Sequence, residues 1–112
     1  MNSSDLCGRL IGAVATEYRV DFVKKEITMR IQPAGSSPLE VRFRGIRMLG
    51  WAADDSEPQQ QLELSVVGLE ATEDQGWKVY FNPWYTAELE FECEHIIAGG
   101  EEVVHAGDCF EG

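Results

Sequence analysis

The sequence predicts a single all-β domain spanning residues 1–112, an antiparallel β-sandwich or partly open barrel of about seven to eight strands. Apolar residues recur with a period of two along most of the chain. Short runs of turn-forming residues separate the apolar runs at regular intervals. A chain of 112 residues with 44% hydrophobic side chains can bury one core, and neither a linker nor an internal repeat divides it.

The N-terminal segment predicts one helical turn followed by a β-hairpin. The helical turn covers Ser4 to Gly8, with the Ser4 hydroxyl as its N-cap. Even-numbered apolar residues predict a first strand from Leu10 to about Val23, and a second strand covers residues 27–31. The turn between them is Lys24-Lys25.

The middle of the chain predicts a strand that changes face. Apolar and charged residues alternate from Leu39 to Phe43, but from Gly45 onwards the apolar positions fall on the other parity. An isolated glycine at such a change indicates a β-bulge in a strand that continues to Trp51. The polar segment 52–60 is predicted to be a surface loop.

The C-terminal half predicts four strands, a tight turn and a tail. Three strands are expected from Leu62 to about Glu70, from Trp77 to Phe81 and from Ala87 to Ile97. Gly99-Gly100 then forms a two-residue hairpin turn into the fourth, from Glu101 to His105. The tail, residues 106–112, is expected to fray or to lie at a sheet edge.

The strand from Ala87 to Ile97 carries the most regular alternation in the chain. Because successive side chains of a strand point to opposite faces, one face is predicted to enter the core and the other to present a row of carboxylates to water. The predicted core face is Leu89, Phe91, Cys93, His95 and Ile97, and the carboxylate row is Glu88, Glu90, Glu92 and Glu94. Outward arginines at 30, 42 and 44 would relieve the repulsion in this row if their strands were neighbours.

The chain divides into a mildly basic half and a strongly acidic half. Residues 1–50 hold eight basic and five acidic side chains, for a net charge of +3. Residues 51–112 hold fifteen acidic side chains and one basic one, Lys78, for a net charge of −14, and the whole chain carries −11. A surface this acidic attracts basic partners and repels polyanions, so nucleic-acid binding is not expected.

Three cysteines and two histidines raise the questions of redox state and metal binding. An odd cysteine count, with neither a signal peptide nor a long apolar run, predicts a cytoplasmic protein with reduced thiols. Cys93, His95, His105 and Cys109 are zinc-type ligands. A two-residue turn at Gly99-Gly100 would place the two histidines on opposite faces, so no metal or other cofactor is predicted.

Catalytic residues are not predicted either, because the chain lacks the sequence motifs of nucleophilic, metal-dependent or nucleotide-binding sites.

The segment 77–85 is rich in aromatic residues, and three of them are expected at the surface beside the carboxylate row. Aromatic rings beside charges are typical anchors of protein interfaces. The predicted partner-binding set is therefore Glu88, Glu90, Glu92, Glu94, Tyr80, Trp84 and Tyr85.

Two short motifs lie within the segment from about Ile27 to Ile97, namely F-x-G-I from Phe43 and F-x-C-x-x-I from Phe91. They resemble the immunity protein 50 family of small all-β bacterial proteins from polymorphic-toxin systems. The resemblance implies a toxin-neutralising β-protein of bacterial origin without catalytic residues. The resemblance does not identify any partner-binding residue in this chain.

The functional hypothesis is thus a small acidic binding protein that neutralises or shields a basic protein partner such as a toxin, as an immunity protein does. The first alternative is a small-molecule binding module with an aromatic-lined pocket near Trp51, Trp77 and Trp84. The second alternative is an enzyme that uses a desolvated carboxylate or histidine. A deep apolar cavity would favour the first alternative, and a filled core with a flat acidic face would favour the binding protein.

Overall fold

The computed structural model describes residues 1–33, 35–52, 62–82 and 88–111. Within these ranges the protein has one short helix and eleven strands, all paired antiparallel in two sheets that do not close into a barrel. Eight of these strands have four residues or more, so the predicted all-β sandwich is confirmed. The elements are α1 (Ser3–Leu10), β1 (Val14–Asp21), β2 (Glu26–Gln32), β3 (Leu39–Arg44), β4 (Met48–Ala52), β5 (Leu62–Glu63), β6 (Val67–Ala71), β7 (Trp77–Phe81), β8 (Glu88–Cys93), β9 (His95–Ala98), β10 (Glu101–Glu102) and β11 (Cys109–Glu111).

The two sheets bury their facing sides in one core. The six-stranded sheet has the order β10-β9-β3-β2-β1-β5, and the five-stranded sheet has the order β11-β6-β7-β8-β4. Three phenylalanines, Phe43, Phe81 and Phe91, meet across the interior, with ring centroids of Phe43 and Phe91 4.9 Å apart in a T-shaped arrangement. Aliphatic side chains from both sheets surround these rings and exclude water from the interior.

Two adjacent strands cross together from one sheet to the other. β3 belongs to the six-stranded sheet and continues as β4 in the five-stranded sheet, while β8 and β9 cross in the opposite direction. The antiparallel pairing persists through the bend, because the Arg47 N–H donates to the Glu92 carbonyl and the Glu94 N–H donates to the Arg44 carbonyl, both at 2.9 Å. Gly45 lies in the left-handed region at φ 71°, and a Cβ there would lie 2.9 Å from the side chain of Glu94.

This crossing corrects two predictions from the sequence. The parity change at Gly45 is a passage between sheets rather than a bulge within one strand. The strand predicted from Ala87 to Ile97 is two strands separated by Glu94, and the inward face changes there. Cys93 is therefore buried, whereas His95 is exposed and Ile96 takes the next core position. The consecutive isoleucines Ile96 and Ile97 fit either parity, so periodicity alone does not locate the break.

The N-terminal helix is longer than predicted. α1 covers Ser3–Leu10, and its N-cap is Asn2, whose Oδ1 accepts a hydrogen bond of 2.8 Å from the Asp5 N–H. Leu6, Cys7 and Leu10 point into the core, so Leu10 belongs to the helix and not to the first strand. The hairpin of β1 and β2 is confirmed, with Val14 opposite Gln32 and Asp21 opposite Glu26.

A disulfide joins the two ends of the chain. Cys7 of α1 and Cys109 of β11 are 102 residues apart in sequence and are bonded, while Cys93 is free and buried. The prediction of reduced thiols is therefore wrong for this pair, because cysteine spacing in sequence does not report spatial proximity. Closing a loop this long restricts the unfolded chain, which in the entropic account contributes roughly 4–5 kcal/mol of stability.

None of the described helices is long and apolar enough to cross a membrane.

Asn82 fastens the end of β7 to the chain between β5 and β6. Asn82 is buried, and its backbone has a positive φ of 51°. Its side chain makes three hydrogen bonds to the backbone. Oδ1 accepts from the N–H groups of Ser65 at 2.8 Å and Val66 at 3.1 Å, and Nδ2 donates to the Glu63 carbonyl at 2.7 Å. Asparagine tolerates positive φ better than most residues, so it supplies both the turn and the bonds.

We expect Asn82→Gly to lower the free energy of unfolding by about 2–4 kcal/mol, because glycine keeps the positive φ but leaves two N–H groups and a carbonyl without their partner. Urea denaturation followed by tryptophan fluorescence measures the change. The matched control is Gln75→Gly, since Gln75 also has a positive φ, 68°, but an exposed side chain. Equal stability of the two variants would contradict the role assigned to Asn82.

Candidate functional site: an acidic and aromatic face of the five-stranded sheet

The outer face of the five-stranded sheet brings together residues from four strands. Gly68 of β6 lies between Phe110 of β11 and Tyr80 of β7, and Tyr80 lies beside Glu90 of β8. The next row across the sheet places Glu70 beside Lys78 and Lys78 beside Glu92. We call this surface the acidic–aromatic face, and it comprises Glu70, Lys78, Tyr80, Glu90, Glu92 and Phe110.

Gly68 allows the two rings of this face to meet. A Cβ at Gly68 would lie 2.8 Å from Cδ2 of Phe110 and 2.9 Å from Cδ2 of Tyr80, so any larger residue would push the rings apart. The rings pack edge to face above the glycine, with centroids 6.4 Å apart and an interplanar angle of 73°. Phe110 remains 49% exposed and Tyr80 is half-buried, so the pair presents apolar surface to solvent.

One lysine is set among the carboxylates. Lys78 Nζ lies 3.8 Å from Oε1 of Glu90 and 5.2 Å from the centre of the Tyr80 ring. The Tyr80 hydroxyl donates to Oε2 of Glu70 at 3.4 Å. The hydrogen bond with Tyr80 raises the pKa of Lys78, with smaller contributions from the charges of Glu90 and Glu70. Three carboxylates against one ammonium leave the acidic–aromatic face negative.

The carboxylates predicted to form one row do not all lie on the same surface. Leu89, Phe91 and Cys93 are buried as expected, and their outward neighbours Glu90 and Glu92 are half-buried beside the side chains of β7. Half-burial rather than full exposure follows from the flanking tyrosine and lysine. Glu94 is exposed but lies in the bend between the sheets, against Gly45.

Three of the predicted partner-binding residues cannot be placed by their side chains. Trp84 and Tyr85 lie outside the described residues. Glu88 begins β8 and its backbone pairs with Ala52 on the outward parity, but its side chain lies outside the described part of the chain.

Phe110, Gly68 and Glu70 also belong to this face, although the sequence did not predict them there. Phe110 follows Cys109 in a tail that carries no strand pattern, and only the pairing of β11 with β6 places its ring on this face. Glu70 shares the parity of the buried Leu64 and Val66, and it faces outward only because a new strand, β6, begins at Val67.

The outward arginines do not relieve the repulsion between the carboxylates. Arg30 lies on β2, and Arg42 and Arg44 lie on β3, so all three belong to the other sheet. Arg42 instead lies 3.0 Å from Oε1 of Glu40 and 4.0 Å from Oε1 of Glu26. The condition for that relief, that these strands neighbour the glutamates of β8, is not met, because β8 lies between β4 and β7 while β3 pairs with β9.

The bend between the sheets holds a separate cluster of charges. Arg47 forms an ion pair with Asp74 in the turn between β6 and β7, and Thr72 Oγ1 also donates to Asp74, at 2.5 Å. These hydrogen bonds, that from Arg47 first, lower the pKa of Asp74 to about 2. Gly76 is buried beneath this contact, where a Cβ would overlap the Arg47 guanidinium.

The four zinc-type side chains are not brought together. His95 Nδ1 lies 2.6 Å from Oε1 of Glu102, whereas the His105 ring stacks on Trp77 with centroids 3.7 Å apart. Cys93 is in the core and Cys109 is in the disulfide. Gly99-Gly100 is the predicted two-residue turn, since Ala98 pairs with Glu101. The described residues contain no group of three or more potential metal ligands.

The aromatic pocket of the first alternative is not assembled from Trp77, which is buried in the core against His105. The side chain of Trp51 and the whole of Trp84 lie outside the described residues. A groove of about 420 Å³ opens to solvent beside the bend, lined by Val20, Phe22 and Ile46 together with Lys25, Arg47 and Glu94.

Comparison with known proteins adds no relative to these observations. No family model, curated protein or solved structure matches the chain. The resemblance to the immunity protein 50 family therefore stays a prediction from the residues.

We expect the Cys93 thiol to react slowly with iodoacetamide in the folded protein at pH 8 and rapidly after unfolding. Burial excludes the reagent and raises the pKa of Cys93 to about 12, so very little of the thiol is ionised at pH 8. Mass spectrometry of the labelled peptides under non-reducing conditions reads Cys93 alone, because Cys7 and Cys109 are bonded to each other. Rapid labelling of Cys93 in the folded protein would contradict the position assigned to β8.

A titration followed by NMR should show the Asp74 carboxyl ionising near pH 2. Because its pKa is lowered from 3.8, ionised Asp74 contributes stability above about pH 3.8, and that contribution is lost as the pH falls towards about 2. Arg47→Gln should move the midpoint up towards 3.8, since Arg47 is the main cause of the shift. Arg42→Gln, on the other sheet, should leave it unchanged, and an unmoved midpoint in Arg47→Gln would refute the pairing.

Proposed function

We propose that this protein is a small acidic binding protein, without catalytic activity, that neutralises or shields a basic protein partner through the acidic–aromatic face. The observation that carries the proposal is the partly exposed Tyr80–Phe110 pair set directly beside the carboxylates of Glu70 and Glu90. The arrangement offers apolar contact and negative charge in one patch.

The aromatic pair is suited to hold a partner. Aromatic side chains are enriched among the residues that dominate binding energy in protein interfaces, because they bury a large area for few rotatable bonds. Phe110 packs against Tyr80 over Gly68, so its ring position is largely set before a partner arrives. Ordering in advance lowers the entropic cost of association.

The carboxylates are suited to attract a partner. The chain carries a net charge of −11, and the field of such a charge accelerates the encounter with a basic protein. Glu90 and Glu92 lie on β8, an interior strand that pairs on both sides, with β7 and β4. Their backbone is therefore held on a sheet rather than on a loop.

This proposal agrees with the immunity-protein function that the resemblance implies, with a toxin as the basic partner. Toxins that act on nucleic acids need basic sites for phosphate, and an acidic face can occupy such a site. The cytoplasm remains the proposed location. There, glutathione and thioredoxin would act on the Cys7–Cys109 disulfide.

Association with a basic partner should slow when the charge of the face is reduced. In Glu90→Gln with Glu92→Gln, the on-rate should fall about tenfold at low salt while the unfolding free energy changes little. Raising the salt from low to physiological should also slow the unmodified protein, because screening shortens the reach of the field to roughly 8 Å. The partner is first identified by crosslinking in native extract and is then purified. Stopped-flow or surface-based kinetics with the purified partner measures the effect of the glutamate changes and the effect of salt.

The matched control is Arg42→Gln with Arg44→Gln, on the outer face of the other sheet. This double variant also changes the net charge by two but should not slow association with a basic partner. A partner whose on-rate ignores both salt and the glutamate changes would defeat the proposal.

A further inference from the structure

The disulfide lies next to the acidic–aromatic face. Cys109 is followed directly by Phe110, so the residue that bonds to α1 and the ring that packs on Tyr80 are neighbours in β11. Cys7 is fully buried within α1, which is itself packed in the core through Leu6 and Leu10. The disulfide thus ties the edge strand that carries Phe110 to a fixed part of the fold.

The other contacts that β11 makes, with β6, with α1 and through the Phe110 ring, are noncovalent. β11 has three residues and pairs on one side with β6, and β6 is its only partner among the described strands. Just before it, Oδ1 of Asp108 accepts a hydrogen bond of 2.9 Å from the Ala71 N–H, at an exposed position. A three-residue edge strand with exposed bonds has little local stability without the covalent link.

The chain before β11 is held independently of the disulfide. Ser3 is buried, its Oγ donates to the Gly107 carbonyl at 3.1 Å, and it accepts from the Ala106 N–H at 2.9 Å. The Ser3 N–H also donates to the Val104 carbonyl at 2.9 Å. Gly107 has φ 96°, which a glycine adopts readily and which allows the chain to change direction there.

We propose that the Cys7–Cys109 disulfide is a redox control of the acidic–aromatic face. In the oxidised protein Phe110 is held over Gly68 and the face is complete. Reduction frees the chain after Gly107, Phe110 leaves Tyr80, and the affinity of the face for its basic partner falls while the two sheets remain folded. This inference rests on the proposed function, since it concerns the regulation of the same surface.

The chemistry is thiol–disulfide exchange with a dithiol reductant. Sγ of Cys109 is the accessible point of attack, because Cys109 is half-buried and Cys7 is 1% exposed. One thiolate of the reductant bonds to Cys109 and expels Cys7 as a thiolate, which takes up a proton. The second thiol of the reductant then displaces Cys109, so the reductant ends as a disulfide and the protein gains two electrons and two protons.

The test compares the oxidised protein with the protein reduced by dithiothreitol, and with the variant Cys7→Ser with Cys109→Ser. The first readout is amide hydrogen exchange at residues 109–111, which does not depend on any partner. The second readout is the affinity for a defined basic probe, a peptide of ten lysines and one tryptophan, at low salt. Reduction and the double serine variant should both speed the exchange and weaken the probe by roughly three- to tenfold.

Two control variants separate the possible causes. Cys93→Ala removes the free cysteine and should leave the redox response intact. Phe110→Ala, kept oxidised, should weaken the probe as much as reduction does while the exchange at Cys109 stays slow.

Each outcome decides a different claim. Exchange that does not change on reduction overturns the redox control, whatever the probe does. Faster exchange with equal affinity of both forms shows that β11 is released but does not matter for binding, and this also overturns it. A probe that binds neither form, together with faster exchange, removes the proposed function of the face and with it the redox control.

Discussion

The joint crossing of two strands between the sheets is the constraint on which the rest of the fold depends. Because β3–β4 and β8–β9 bend together, each strand keeps an antiparallel partner through the turn, and the N–H groups of Arg47 and Glu94 keep their hydrogen-bond acceptors. The bend requires the left-handed conformation of Gly45 and the space that its missing side chain leaves for Glu94. It closes one side of the sandwich and sets which residues of β8 and β9 face the core.

The acidic–aromatic face is built from parts of the chain that are far apart. β7 and β8 supply Tyr80 and Glu90, but the second ring comes from β11, which is joined to α1 at the other end of the sequence. The position of Phe110 on this face is therefore coupled to the disulfide between α1 and β11. Under the proposed redox control, a change that loosens β11 would alter this surface while the phenylalanine core stays packed.

The charge division along the sequence does not translate simply into charged faces. The outer side of the six-stranded sheet mixes arginines with glutamates, and Arg42 lies between Glu26 and Glu40. The net charge of −11 acts at long range and governs attraction, whereas contact on the proposed surface depends on a few carboxylates and two rings. The carboxylates would accordingly act mainly on the rate of association, and the two rings mainly on the rate of dissociation.

The sequence by itself determined the local properties of this protein: the all-β class, the burial of Leu89, Phe91 and Cys93, and the turn at Gly99-Gly100. Period-two alternation reports which side of a strand a residue occupies, and glycine pairs report where a hairpin can turn. Only the tertiary structure decided the break at Glu94, the bonding of Cys7 to Cys109 and the place of Phe110 beside Tyr80. These features arise from contacts between distant segments, because the order of strands in a sheet is set by the burial of the whole core and leaves no periodic trace in the local sequence.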